Sequence, residues 1–290
     1  NQTTRPGYYR VLLDKYNIQA TLTASNRVGY HMYRFLDGGD GHIVIDLEEG
    51  ISDAPTATHI RQVNDSTVEG YRFSRGWARD QRIYFTAVFS KRITRFNVYE
   101  DSLQKQGKEF TGTRTKGVVF FNTGEDRMVD VKVGISPVST ANAAENINAE
   151  IAGWNISRVW YHANQDWVDE LEKIWIYSKD ERLLRTFYTA LYHTMIAPSI
   201  FNDHNGDYRG TEKKIYQKAD FTNLTTFSLW DTYRAAHPLF TITQPQRVND
   251  MVNSMLAIYQ QQGRLPVWHL KANETNTMPG NRAIPVNADA

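Results

Sequence analysis

From Tyr8 to about Ile135 apolar and polar residues alternate with a period of two, the spacing of strands whose successive side chains point to opposite faces. Gln81 to Ser90 shows it best: Ile83, Phe85, Ala87 and Phe89 face one way, Arg82, Tyr84 and Thr86 the other. Val131, Val133 and Ile135 repeat the alternation, as do Ile43, Ile45 and Leu47. Turn residues separate these runs: Asp37-Gly38-Gly39-Asp40-Gly41, Gly107 and Thr123-Gly124-Glu125-Asp126. Short strands joined by turns, without helices between them, predict an antiparallel β-sandwich.

After Ser136-Pro137 the period becomes that of helices. Ala144, Ile147 and Ile151 mark a first helix, and Trp167, Leu171, Ile174 and Trp175 a second. A third is capped by Asp180, carries Leu184, Phe187, Tyr188, Leu191, Tyr192 and Met195, and ends at Pro198. A later one runs from about Gln246 to Gln262, with Val248, Met251, Met255 and Tyr259 inward and Gly263 just past its end. Wide apolar stripes need partners on two sides, so the second half is expected to be layers of helices, and it reads as incomplete at Asn287-Ala288-Asp289-Ala290. The expected organisation is a sandwich over residues 1–136, a helical linker over 137–178 and a helical domain over 179–290.

Composition narrows the function classes. In a chain of 290 residues, 41% apolar and 22% charged residues describe a globular protein. A net charge of +1 gives no electrostatic case for nucleic acid or an anionic membrane. No run approaches the ~20 apolar residues of a bilayer span. The absence of cysteine excludes disulfides, thiolate metal sites and a cysteine nucleophile, and leaves the compartment open. The opening Asn1-Gln2-Thr3-Thr4, without an initiator Met, is that of a processed or cut chain. Seven Trp and 16 Tyr supply many flat, half-polar surfaces of the kind that face carbohydrate.

The most informative stretch is FSLWDTYRAAHPL (Phe227 to Leu239), which puts an indole, a carboxylate and a guanidinium at Trp230, Asp231 and Arg234. On one continuous helix, Trp230 and Arg234 are i,i+4 partners and Asp231 and Arg234 i,i+3 partners, so all three share a face. A sugar ring then packs on Trp230 while its hydroxyls bridge Asp231 and Arg234. The alternative is an ordinary amphipathic helix with an intrahelical ion pair and a core tryptophan.

Several stretches together resemble the family-92 glycoside hydrolases, calcium-dependent exo-acting α-mannosidases. They are LTASNRVGYHMYRF (Leu22 to Phe35), GWARDQRIYFTAVFSK (Gly76 to Lys91), FYTALYHTMIAPSIFND (Phe187 to Asp203), FSLWDTYRAAHPL, GRLPVWHLKANETNTMPG (Gly263 to Gly280) and IPVNADA at the end. The resemblance implies an N-terminal β-sandwich followed by the first helices of an (α/α)6 barrel. It also implies departures at both ends: the opening strands of the sandwich and the closing helices of the barrel are not in this stretch. The family's catalytic carboxylates, in a Glu-Gly stretch and an Asn-Asp-Asp-x-Gly stretch, are then expected beyond Ala290, and the His-Gly-Asn-Glu-like motif of the metal region is absent from this stretch.

The implied activity is hydrolysis of terminal α-mannosides in mannose-rich glycans with inversion, in which an acid and a base sit roughly 6.5–9.5 Å apart. Calcium is the implied cofactor, acting on mannose O2 and O3, with ligands outside this chain. The implied partners are mannose-containing glycans and the remaining segments of the same polypeptide. The implied location is exported: periplasmic, cell-surface or secreted. Within this chain Asp231 and Arg234 are expected to bind sugar hydroxyls, with Trp230 as a wall or a support beneath them; the alternative is an ion pair buttressing two barrel helices. Trp268, placed after Leu265-Pro266, is expected on a loop at the barrel mouth or, alternatively, in the core. Glu274 is expected to contact substrate or the metal's surroundings or, alternatively, to cap a loop. Asp289 and His269 are weaker candidates.

Other motifs carry less. Asp203-His204-Asn205-Gly206-Asp207-Tyr208 lacks the order of an EF-hand loop and is better read as an Asx-stabilised turn. His31, His193 and His237 have no partner at metal-binding spacing. The Asn-x-Ser/Thr triplets at Asn64, Asn155 and Asn223 matter only in a eukaryotic secretory route. The competing function is a non-catalytic carbohydrate-binding or scaffold protein; a different sandwich-plus-barrel glycosidase is a third.

Overall fold

The alternating half of the chain folds into two antiparallel sheets in the computed structural model, which describes residues 2–290. The first four strands are β1 (Gln2–Arg5), β2 (Tyr8–Leu13), β3 (Ile18–Ala24) and β4 (Val28–Phe35). Then come β5 (Asp40–Asp46), β6 (Asp53–Gln62), β7 (Thr67–Gly76), β8 (Gln81–Phe89) and β9 (Arg95–Glu100). The last four are β10 (Leu103–Lys105), β11 (Glu109–Gly112), β12 (Thr115–Asn122) and β13 (Met128–Ser136). One sheet has the order β1-β2-β3-β4-β13-β8-β7-β6-β11, the other β10-β9-β12-β5. Their inner faces share one core, in which Ile60, Phe85 and Phe89 of the large sheet meet Phe96, Val119 and Phe121 of the small one. The Phe89 and Phe121 rings lie 5.1 Å apart. Gly117 permits the close approach, because a Cβ there would stand 2.4 Å from Ile60 Cδ1.

Period two gave β8 correctly, yet its supposedly outward face is also covered. Helix α1 (Thr140–Glu150) lies on it: the Thr86 hydroxyl donates to Thr140 O (2.9 Å) and the Asn146 carboxamide to Ile135 O (2.9 Å). A Cβ at Gly134 would sit 2.1 Å from Ala143 O, so the helix backbone touches the sheet. Ser139 caps the start, accepting from Asn142 N (3.0 Å). At the far end Glu150 is held by Arg27 Nη1 (2.8 Å), Arg27 N (2.9 Å) and the Ser25 hydroxyl (2.6 Å). The buried Lys132 ammonium donates to Ile151 O (3.0 Å), a cation placed at the negative end of the helix. The first compact unit therefore carries α1 and runs on to Gln165, inside α2 (Ile156–Leu171).

The second helix is shorter than its apolar spacing predicts, since Ile174 and Trp175 lie past its end. The Tyr188 phenol accepts from Ile176 N (3.4 Å) and donates to Ile174 O (3.3 Å). These bonds satisfy an extended backbone there and leave Trp175 79% exposed.

The second unit, Asp166–Ala290, contains α3 (Glu181–Thr194), α4 (Leu229–Thr232), α5 (Ala236–Thr243), α6 (Pro245–Gln262) and α7 (Ala283–Ala288). The Asp180 carboxylate caps α3 through Arg182 N (2.8 Å) and Leu183 N (3.3 Å). Gly263, at φ +77°, ends α6 by donating to Tyr259 O (2.8 Å). Val248, Met251 and Met255 are buried as expected; Tyr259 is exposed, and Ile258 takes the inward place. Phe227, Leu229 and Phe240 complete that core. Three two-residue pairs tie the long connections together. They join β14 (Ser199–Ile200) to β17 (Leu224–Thr225), β15 (Tyr208–Arg209) to β16 (Ile215–Tyr216), and β18 (Phe227–Ser228) to β19 (Trp268–His269). Among the described residues no helix is long and apolar enough to cross a membrane.

Candidate functional site

The pairing of β18 with β19 makes Ser228 and Trp268 direct Cα partners and sets Phe227 opposite His269. It joins the Trp-Asp-Thr-Tyr-Arg stretch to the Leu-Pro-Val-Trp stretch, although all of α6 separates them in sequence.

The expected single helix face at Trp230, Asp231 and Arg234 does not form. Helix α4 stops at Thr232, and Tyr233 to Ala235 make a turn before α5 starts at Ala236. The cause is Pro238, which has no N–H to donate to Arg234 O and so interrupts a helix drawn through the whole stretch. Restarting the helix places the proline in its first turn, where no donor is needed. The Asp231 carboxylate accepts from the Ser228 hydroxyl, and Arg234 Nε donates to the Tyr233 hydroxyl. Each therefore bonds locally, and they do not form the intrahelical ion pair of the alternative reading. Arg234 and Arg282 stand 5.2 and 4.5 Å from the Tyr233 ring. Trp230 is 40% exposed, and Asp231 and Arg234 are exposed too, so all three groups reach solvent.

Trp268 and His269 are buried, which gives the Trp268 ring a place in the packing rather than on an open loop. Glu274 is half-buried, and its carboxylate accepts from Val267 N (2.8 Å), Trp268 N (3.0 Å) and Asn276 N (2.9 Å). That is the loop-capping role: three peptide donors that no strand partner satisfies are gathered on one anion. Asp289 is exposed at the end of α7.

Glu274 braces a strained loop. Lys271, Ala272, Asn276 and Met278 all have left-handed backbones, at φ 45°, 59°, 52° and 69°. Lys271 and Ala272 are the centre of a two-residue hairpin, closed by Leu270 N to Asn273 O (2.8 Å) and Asn273 N to Leu270 O (3.0 Å). Such a turn ordinarily uses Asn-Gly, because side chains resist positive φ. Each residue costs on the order of 1–2 kcal/mol there and persists only where its surroundings hold it. Besides Glu274, the Lys213 ammonium donates to Ala272 O (2.6 Å) and Lys271 N donates to the Thr225 hydroxyl (2.7 Å). Lys213, Thr225 and Ser228 are members of this arrangement that the sequence patterns miss. Strain of this kind gathers at ligand-binding sites.

Two histidines nearby in sequence are held neutral. Burial, with a smaller contribution from the Lys213 charge, pushes His269 down to about 3, and burial pushes His237 down to about 4. In the unfolded chain both protonate near pH 6.5. Between that pH and the folded values the unfolded state binds more protons. This part of the stability is therefore complete above about pH 6.5 and is lost as pH falls toward 4. Urea melts at pH 7 and pH 5 are expected to give a clearly lower midpoint at pH 5; His237→Gln should flatten the difference.

The Asp203 to Tyr208 run is an Asx-stabilised turn. Asp207 N donates to Asn205 Oδ1 (3.0 Å), and the Asp207 carboxylate accepts from Asn205 Nδ2 (3.0 Å) and Lys218 N (3.0 Å). Asp207 is thus committed to N–H donors. No three Asp, Glu or His side chains converge on a metal position among the described residues.

The family model for the glycosyl hydrolase family 92 N-terminal domain matches residues 1–136, and that for the catalytic domain matches residues 142–290. The family GH92 α-mannosidase BT3965 from Bacteroides thetaiotaomicron is 34% identical, with a TM-score of 0.95 over 99% of this chain and 40% of its own. The inverting mannosidase BT2199 of the same organism shares the fold at 23% identity, with a TM-score of 0.90 over 99% of this chain and 39% of its own. An uncharacterized secreted glycosidase of Arthroderma benhamiae is 28% identical over 166 residues, 56% of this chain and 17% of the relative. The chain thus spans well under half the length of these relatives. With its sandwich half and its helical half each matched in order by the corresponding family model, the chain belongs to glycosyl hydrolase family 92.

Proposed function

We propose that the protein carrying this chain is an exo-acting α-mannosidase that removes terminal α-linked mannose from mannose-rich glycans, with inversion and with calcium. The observation that supports this reading is the 34% identity to a family GH92 α-mannosidase across 99% of the chain. Because the chain covers 40% of that mannosidase, the activity is proposed for a whole protein of that kind.

In this reading these residues supply sugar binding. The exposed Trp230 ring offers a face to the pyranose. The Asp231 carboxylate, fixed on one side by the Ser228 hydroxyl, accepts from a sugar hydroxyl, and the Arg234 guanidinium donates to another. The acid and base of the inverting displacement, and the oxygen ligands of calcium, belong to polypeptide outside this chain. That polypeptide also covers apolar side chains exposed on the second unit's helices, among them Leu183 and Ile242. The relative named as a secreted glycosidase supports an exported protein.

The test is hydrolysis of a panel of aryl glycosides by the protein carrying this chain, with and without a calcium chelator. The expected result is release from the α-mannoside alone, abolished by the chelator and restored by added calcium. Cleavage of another glycoside in its place would overturn the substrate, and chelator-insensitive turnover would overturn the metal.

A further inference from the structure

We infer that the β-sandwich carries a carbohydrate-binding cleft of its own, built where the chain leaves one sheet for the other. Strand β9 pairs with β12 along its whole inner edge, Phe96 opposite Val119 and Asn97 opposite Val118. On its other edge β10 covers only Val98 to Glu100. Gln106 and Gly107, the latter at φ +90°, then turn away so that β11 can pair with β6 in the large sheet. The departure leaves the β9 edge unpaired at Phe96 and Asn97, and it opens a cleft of about 360 Å³ lined by Phe96, Asn97, Gln104, Lys105, Gln106 and Gly107. That volume lies within the roughly 300–1,000 Å³ of small-ligand sites.

The lining specifies the ligand's chemistry. Three carboxamides and one ammonium face it, with no carboxylate among them. No protein group hydrogen-bonds the side chains of Asn97 or Gln106 among the described residues. Tyr99 donates a long hydrogen bond to Gln104 Oε1 (3.5 Å), which turns the amide so that its N–H groups stay available. The Lys105 ammonium is steadied 5.3 Å from the Phe110 ring. Carboxamides that both donate and accept, beside open strand-edge peptide groups, suit a ligand dense in hydroxyls that do the same. An apolar ligand would leave them unanswered, and an anion would use the N–H donors but leave the carboxamide oxygens without a donor. The occupant is one pyranose unit of a glycan, bound at roughly millimolar affinity as expected for so open a cleft. The choice of mannose as probe rests on the mannosidase reading; the cleft itself does not.

The test is a titration of the protein carrying this chain with methyl α-mannoside and with mannose, followed by NMR. Three proteins are compared: wild type, Gln104→Ala/Gln106→Ala and Asp231→Ala, with thermal melts confirming that each is folded. Both glutamine side chains are exposed, so the double variant is expected to melt as wild type does. The expected result is that it binds at least tenfold more weakly while Asp231→Ala retains the cleft resonance shifts. Unchanged binding by the glutamine variant, loss confined to Asp231→Ala, or no binding of either sugar by wild type would overturn the cleft. A concentration-dependent dimer that the glutamine substitutions dissolve would overturn it in favour of a second copy. Cleft binding in a protein that hydrolyses no mannoside would uphold the cleft and sink the mannosidase reading, so the two fail separately.

Discussion

Asp231→Ala in the protein carrying this chain is expected to lower kcat/KM for α-mannosides about a hundredfold while leaving the melting temperature nearly unchanged. The carboxylate is exposed, so removing it opens no cavity. Its one hydrogen-bond partner among the described residues, the Ser228 hydroxyl, can turn to water. A hydrogen bond between a charged group and a ligand hydroxyl contributes roughly 1.5–3 kcal/mol. At about 1.4 kcal/mol per tenfold, the upper part of that range corresponds to about a hundredfold in rate. Asp231→Asn keeps an acceptor and should recover part of the loss. A melting-temperature drop with kcat/KM within roughly threefold of wild type would instead make Asp231 an acidic residue that stabilises the start of α4.

Glu274→Ala is expected to destabilise the second unit far more than substitution of an exposed carboxylate such as Asp231 does. It strips Val267, Trp268 and Asn276 of the acceptor for their peptide N–H groups at once. Hydrogen bonds to a charged acceptor contribute on the order of 1.5–3 kcal/mol each when buried. Half-burial and partial replacement by water bring the sum to about 3 kcal/mol. For a unit of this size that is a fall in melting temperature of roughly 10 °C. The four left-handed residues around it release strain once unpinned, which speeds opening of the loop. Amide exchange at Val267 and Trp268 should accelerate with the melt. Glu274→Gln retains one oxygen and should lose less. An alanine variant that melts as wild type does but loses mannoside hydrolysis would place Glu274 against the substrate.

The sandwich was legible in the sequence because apolar and other residues alternate along its strands, as they do from Ile83 to Phe89 and from Val129 to Ile135. The capped helices were legible for the same kind of reason: Asp180 and Gly263 satisfy end groups that every helix leaves open. What alternation cannot announce is a second cover. Thr86 and Asn146 meet because α1 folds back on the sheet, and neither residue type demands it.

The candidate site was legible as composition and not as geometry. Trp230, Asp231 and Arg234 stand close together in the sequence, but the helix drawn through them ignored what Pro238 does to the Arg234 carbonyl. The two-residue pairing of Ser228 with Trp268 leaves no periodic trace, so nothing local foretold that α6 would bring those stretches together. Loop capping by Glu274 was only the alternative reading because its three donors are peptide groups, which sequence never displays.

The most direct test of the mannosidase account is a proton NMR time course of α-mannoside hydrolysis by the protein carrying this chain, reading the anomeric signal of the first mannose released. The account predicts β-mannose first, with the α-anomer growing in later by mutarotation. Release of α-mannose first, or no mannose at all in the presence of calcium, would contradict it.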